Sequence, residues 1–134
     1  MRVAVIDGQG GGIGKHIVDQ LRKRVPDLEI LALGTNALAT GAMLKAGATE
    51  GASGEAAICY NANRVDIIAG SLAIATVHGL LGEITPNIAG AISSSSALKL
   101  LIPIQRSNMV VTGITRMPLP HHVEQLVDEV EKRL

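Results

Sequence analysis

Residues 7–15 read DGQGGGIGK, with five glycines in the eight positions from Gly8 to Lys15. Glycine loses more backbone freedom on ordering than any other residue, so such a run is disfavoured unless the site needs it. Two needs fit: a tight turn, or close approach of main-chain amides to an anion. RVAVI precedes the run and HIVDQLRKR follows it. The first reads as a strand and the second as the start of a helix. A loop in that position leaves the first helical N–H groups unpaired and turns the positive end of the helix dipole toward a ligand. The chemistry on offer is anion binding through the main chain, with a phosphate as the natural guest.

Three phosphate-loop templates can be set against these residues. G-x-x-x-x-G-K-[ST] matches Gly14 and Lys15. Gln9 stands at its first glycine, however, and His16 at the hydroxyl that would hold Mg²⁺, so it is rejected. G-x-G-x-x-G fails at Ile13. G-x-x-x-G-x-G fits at Gly8, Gly12 and Gly14. In that spacing DGQGGGIG resembles the TGxxxGIG dinucleotide loop of the short-chain dehydrogenases, with Asp7 where Thr is usual. The resemblance implies NAD or NADP as ligand. It assigns the turn off the strand to Gly8, approach to a diphosphate to Gly12 and close helix packing to Gly14. Gln9, Gly10, Gly11 and Ile13 complete the cradle. The competing reading is a strand-to-helix turn that holds nothing.

The sequence departs from the dehydrogenases in three places. An acid that holds the ribose is expected about 20 residues after the loop, at the end of the second strand. Gly34, Thr35 and Asn36 stand there instead. Thr35 and Asn36 either bond a ribose or phosphate, or cap the next helix. The catalytic Tyr and Lys, four apart, are echoed only by Tyr60 and Arg64, too early in the chain to be more than coincidence. Asp7 would repel an anion unless it binds the loop amides, a cation or a ligand hydroxyl; capping of the loop is expected.

Alternation of strand and helix supplies the frame. RVAVID, LEILALG, ATEGA and RVDIIAG read as four strands, LKLLIPI as a fifth and MVVTGI as a sixth. Ile13, Ile17, Leu21 and Val25 mark one face of the first helix, which Pro26 stops. ALATGAMLKA is a helix capped by Thr35 or Asn36 and ended by Gly47. SGEAAICYNAN is a short helix with Ser53 as cap, and the residues from 71 to Gly82 are read as helical. TPNIAGAIS opens with Thr as cap and Pro at the first turn. Val123, Leu126, Val127, Val130 and Leu134 face a common side of a closing helix. The spacing predicts a single α/β domain over 1–134, with a mostly parallel sheet. QRSN is too short for a parallel crossover, so an antiparallel edge hairpin is expected at the C-terminal end.

Composition narrows the function classes. Apolar residues make up 47% of the 134 positions, yet there is one Tyr and neither Phe nor Trp. Twelve basic and twelve acidic residues balance to zero net charge, and stacking aromatics are missing, which argues against a nucleic-acid partner. Cys59 alone cannot form an internal disulfide or a multi-cysteine zinc site; AAICYN suggests a buried, inert thiol. His16, His78, His121 and His122 lack metal-ligand spacing, and His78 reads as a core or interface residue. No membrane span is long enough, so a cytoplasmic protein is expected. Residues 67–92 carry one charge, Glu83, and are either buried or a self-associating surface; in so small a domain a homodimer through this segment is expected.

Ligands of open α/β sheets bind beyond the carboxyl ends of the strands. Besides the loop, those ends offer Thr35 and Asn36, then Gly70 and Ser71, then Gln105 to Asn108, where Arg106 is the candidate anion clamp. Lys15, in the first helical turn, is a weaker candidate of the same kind. The stretches IDGQGGGIGK, ALGTNALAT, MLKAGA, GEITP and LIPIQRSN together resemble an uncharacterised family of short bacterial Rossmann-like proteins, a domain of unknown function. That resemblance covers nearly the whole chain and implies a nucleotide-binding type of fold, without an activity. The preferred reading is a small module holding a nucleotide, dinucleotide or phosphorylated metabolite at the 8–14 loop. Two alternatives stand beside it: a minimal NAD(P)-dependent oxidoreductase working with a partner, and a structural oligomer with no ligand.

Overall fold

The computed structural model describes residues 1–104 and 108–134. Five strands are present: β1 Arg2–Asp7, β2 Glu29–Gly34, β3 Glu50–Ser53, β4 Ile67–Ser71 and β5 Leu98–Ile102. The helices are α1 Gly12–Arg24, α2 Ala37–Ala46, α3 Glu55–Asn61, α4 Pro86–Ser94 and α5 Leu119–Glu131. The sheet order is β3-β2-β1-β4-β5 and each pair is parallel. Successive strands step outward from β1 to β3, then restart at β4 on the other side. The chain therefore leaves β1 and β4 in opposite directions and opens a crevice between their carboxyl ends.

Alternation along each strand divides the core in two. Val3, Val5, Ile67 and Ala69 face α1, α2 and α5, where they pack with Ile17, Leu21, Met43, Val123 and Val127. Ala4, Ile6 and Ile68 face the other side, with Ile58, Ile74, Ile84, Ile88 and Ile92. β1 is buried on both faces, which is why its sequence is uninterruptedly apolar. In the long apolar stretch 67–92 most large side chains turn inward, while Val77 and Leu81 are exposed.

Local signals place the helix starts. The Asn36 side chain accepts a bond from the Ala39 amide at 2.9 Å, and the Thr85 hydroxyl one from Ile88 at 3.1 Å. Gly47 ends α2 at φ 121°, a conformation open to glycine.

Five expectations are corrected. The antiparallel hairpin is not formed: residues 109–114 are not a strand, and Met109, Val110, Val111 and Ile114 are exposed. Pro103 offers no N–H to continue the β5 ladder, and the Thr112–Gly113 turn interrupts the apolar run. β-branched residues without a ladder partner or a face to bury do not make a strand. Second, residues 72–83 are not an α-helix. A 3-10 turn at Leu72–Ala75 gives way to tight turns in which His78, Leu80 and Leu81 hold φ of 63°, 56° and 56°. Gly79 there lies so close to the Ala73 carbonyl that any Cβ would collide with it. Third, Ser53 does not cap α3; Gly54 does, at φ 100°, while the Ser53 hydroxyl pairs with Thr40 at 2.7 Å. Fourth, Leu134 lies past the end of α5 and is exposed. Fifth, His78 is exposed and Cys59 half-buried, so neither is a core residue. Burial, helped by Glu55, still pushes the Cys59 thiol above its usual pKa, so the thiolate is disfavoured.

Candidate functional site

The strand β1 ends at Asp7 and the chain turns through Gly8–Gly11 into α1. Asp7 is buried, and its carboxylate accepts the Gly8 amide at 2.8 Å and the Gly14 amide at 2.7 Å. It thus closes the loop onto itself from below, as its position suggested. Burial drives its pKa upward; the two amide bonds oppose this, and the nearby negative Glu83 adds to it. Asp7→Asn keeps one acceptor but turns an NH₂ toward the other amide. Leaving a buried donor unpaired costs about 1–3 kcal/mol. The variant is expected to lose stability in that range, read from the shift of its urea unfolding midpoint.

The glycines of the loop fall into two groups. A Cβ on Gly8 would meet the Thr35 hydroxyl at 2.6 Å and Leu80 at 2.9 Å. Gly11 holds φ 73°, and a Cβ there would press on the Ala39 backbone at 2.9 Å. On Gly14 it would meet the Met43 sulfur at 2.6 Å and Asp7 Cβ at 2.9 Å. Folding alone accounts for these three. Gly10 and Gly12 are different: both are exposed, neither holds a positive φ, and a Cβ on either would meet nothing within 4 Å. Neither turn geometry nor packing requires glycine there.

The amides divide likewise. Asp7 takes those of Gly8 and Gly14. The Gly11 amide donates to the Gly8 carbonyl at 2.9 Å, and Lys15 to the Gly11 carbonyl at 2.8 Å. Gln9, at φ 50°, donates to both oxygens of Glu83 at 3.1 Å. Among the described residues, the amides of Gly10, Gly12 and Ile13 meet no protein acceptor. The loop amides left without a protein acceptor are therefore these three at the start of α1, fewer than the full 8–14 run expected to hold a ligand.

Of the two roles open to Thr35 and Asn36, the structure shows capping, and by Asn36 alone. Asn36 caps α2 and also donates through Nδ2 to the Gln9 carbonyl at 3.1 Å and to Glu83 Oε1 at 2.9 Å. The Thr35 hydroxyl donates a short bond to the same Glu83 oxygen. Burial pushes the Glu83 pKa up, but bonds from Thr35, Gln9 and Asn36 outweigh it and hold the carboxyl below its usual range. Its bonds therefore stabilise the fold at neutral pH and are lost as the pH falls through that lowered value. Sequence reading did not place Glu83 at the site. Its one signal was being the single charge within 67–92.

At the carboxyl end of β4, Gly70 passes close to β1: a Cβ there would meet the Ile6 carbonyl at 2.7 Å. Ser71 is 2% exposed, and its hydroxyl has no hydrogen-bond partner. Strand parity, set by Ile67 and Ala69, puts that side chain on the α1 face of the sheet, the face Asp7 occupies on β1. A buried hydroxyl without a partner is uncommon and calls for an explanation. Arg106 falls outside the described residues, as do Gln105 and Ser107. Beyond β5, a cavity of about 510 Å³ is lined by Ile104, Val110, Ile114, Met117, His122 and Arg116, a second arginine that the sequence did not single out.

Lys15 is exposed and, with Gly12, His16, Asp19 and Lys45, lines an open groove of about 630 Å³ between α1 and α2. Asp19 is engaged by Lys23 at 3.1 Å, which leaves the groove cationic on balance. Tyr60 near the end of α3 and Arg64 just beyond it stack, the guanidinium 3.9 Å from the ring centre, on the outside of the molecule. Among the described residues no group of three or more His, Cys, Asp or Glu could hold a metal ion, and no helix is long and apolar enough to cross a membrane.

Residues 2–134 match a family model described as "Domain of unknown function (DUF3842)". No curated protein and no solved structure matches the chain.

Proposed function

Because the chain belongs to that family, whose description carries no activity, we propose its function from the site itself: a module that binds a phosphate-bearing nucleotide at the glycine loop. One observation carries the reading. Gly10 and Gly12 are glycines that folding does not require, and they stand where three unpaired amides face out from the tip of α1. A side chain at either position would fill the space through which a diphosphate approaches the backbone. Keeping glycine there sacrifices stability, and ligand approach is what it preserves.

Three further features support the same reading. The strand order 3-2-1-4-5 is that of dinucleotide-binding folds, with the loop at the point where the order reverses. The buried, unpartnered Ser71 hydroxyl sits at the end of the adjacent strand. Lys15 and Lys45 place positive charge beside Gly12. NAD and NADP are the leading ligand types, as the loop spacing implies.

A thermal-shift screen with NAD, NADP, ATP, GTP, FAD and S-adenosylmethionine tests this. A ligand present at a hundred times its dissociation constant adds about 2.7 kcal/mol, a rise of roughly 10 °C for a domain of this size. A flat response to all six at millimolar concentration would remove the reading.

A further inference from the structure

The loop of this protein lacks the acid that dinucleotide sites place at the end of the second strand, yet a carboxylate is present at that point in space. Glu83 reaches it from the turns after β4, 48 residues along the chain from Thr35. Its Oε1 is crowded, accepting from Thr35, Asn36 and Gln9. Its Oε2 accepts only a share of the Gln9 amide, at 3.1 Å. An ionised carboxylate has about four lone-pair sites, so Oε2 retains capacity for a donor. Glu83 is half-buried.

Charge decides what kind of group can approach it. A phosphate beside a carboxylate is repelled, so the contacts around Glu83 do not suit the anionic part of a ligand. Hydroxyl donors suit them. The anion belongs one residue farther on, where the unpaired Gly10 amide follows Gln9 and leads to those of Gly12 and Ile13. On the far side of the same crevice, at the end of β4, the buried Ser71 hydroxyl still lacks a partner. Acceptor, amide cradle and hydroxyl thus follow one another across β2, β1 and β4.

We propose that Glu83 binds the 2′,3′-diol of a ribose, so that the ligand is a ribonucleotide whose ribose hydroxyls carry no phosphate. The proposal rests on the glycine loop being a phosphate site. Among dinucleotides it selects NAD over NADP, because a 2′-phosphate would be set against the carboxylate.

Titration calorimetry on the full chain tests it with pyrophosphate, ADP, 2′,3′-dideoxy-ADP and adenosine 2′,5′-bisphosphate. Wild type is expected to bind ADP about tenfold to a hundredfold more tightly than the dideoxy compound, the usual worth of a bond to a charged group. The 2′,5′-bisphosphate is expected to bind more weakly than ADP by at least about tenfold. Glu83→Gln should weaken ADP, leave dideoxy-ADP unchanged and improve the 2′,5′-bisphosphate. Equal binding of ADP and dideoxy-ADP by wild type overturns the proposal, and that comparison needs no variant to fold. Tighter ADP binding by Glu83→Gln also overturns it, since the carboxylate would then be blocking the loop. Pyrophosphate binding with no gain from the nucleoside sinks the role of Glu83 and leaves the phosphate loop standing. If neither pyrophosphate nor ADP binds, both fall.

Discussion

Gly12→Val is expected to abolish stabilisation by nucleotide while leaving the unliganded chain folded. The position is the first residue of α1, it is exposed, and a Cβ there has no neighbour within 4 Å. The isopropyl group therefore points into solvent and costs the fold little. In a nucleotide complex it would stand between the phosphate and the amides of Gly12 and Ile13. The loss should be the whole ligand contribution, about 2.7 kcal/mol at a hundredfold excess over the dissociation constant. Gly12→Ala sharpens the test. Its backbone is compatible with alanine, so the unliganded protein should gain about 0.4–1 kcal/mol while nucleotide binding weakens. Chemical denaturation with and without ligand reads both changes. A Gly12→Val protein that still responds fully to nucleotide would show that the guest does not sit against this backbone.

Gly14→Val should do the opposite and undermine the fold itself. This glycine is buried, and its missing Cβ marks the contact between α1 and β1. Met43 could move its sulfur aside, but Asp7 Cβ, 2.9 Å away, is fixed to the strand. The helix must lift, and lifting breaks the 2.7 Å bond from the Gly14 amide to the Asp7 carboxylate. Overpacking costs about 1–3 kcal/mol and a lost bond to a buried carboxylate about the same again. A combined loss of roughly 3–5 kcal/mol is a large part of the stability of a domain this size. The urea midpoint should fall accordingly, and Gly14→Ala should fall less. Equal midpoints for Gly14→Val and Gly12→Val would contradict the proposed division of the loop into folding and ligand glycines.

The two substitutions are expected to differ because packing requires glycine at 14 and not at 12, a difference that the run of glycines in the sequence does not display. Spacing indicated that Gly14 serves helix packing, and its contacts agree; it gave Gly8 to a turn, whereas close packing against Thr35 and Leu80 is what excludes a side chain there. It gave Gly11 no separate role, because the approach of the Ala39 backbone depends on where α2 lands. Asp7 was legible as a loop cap, since its partners lie one and seven residues away. The caps of α2 and α4 were legible for the same reason.

Apolar runs were legible only where their surroundings were standard. LKLLI became an edge strand because β4 offered it a ladder. MVVTGI, equally rich in β-branched residues, formed no strand and stayed irregular and exposed. In 72–83 the α-helical geometry expected from the sequence did not form, and burial is confined to Ala73 and Ile74 while Val77 and Leu81 are exposed. Ile74 and Ile84 anchor the two ends in the core, and the chain between them has to turn back on itself. The closing bonds, from His78 to the Ile84 carbonyl at 2.7 Å and from Ile84 to Gly79 at 3.0 Å, are short-range in sequence but depend on both anchors being seated.

What the sequence alone determined is whatever depends on neighbours within a turn or two: the buried parallel strands, the glycine loop ahead of α1, and the side chains that cap helices. Their energetics are settled by residues a few positions apart, so order along the chain is enough. The tertiary structure alone decided which glycines the fold leaves unexplained, which loop amides are already taken, and that Glu83 comes to lie against Thr35 and Gln9 from 48 and 74 residues away. Contacts of that span form only after the sheet has brought distant loops to one end. Their partners are chosen by strand order and packing, which local spacing does not encode.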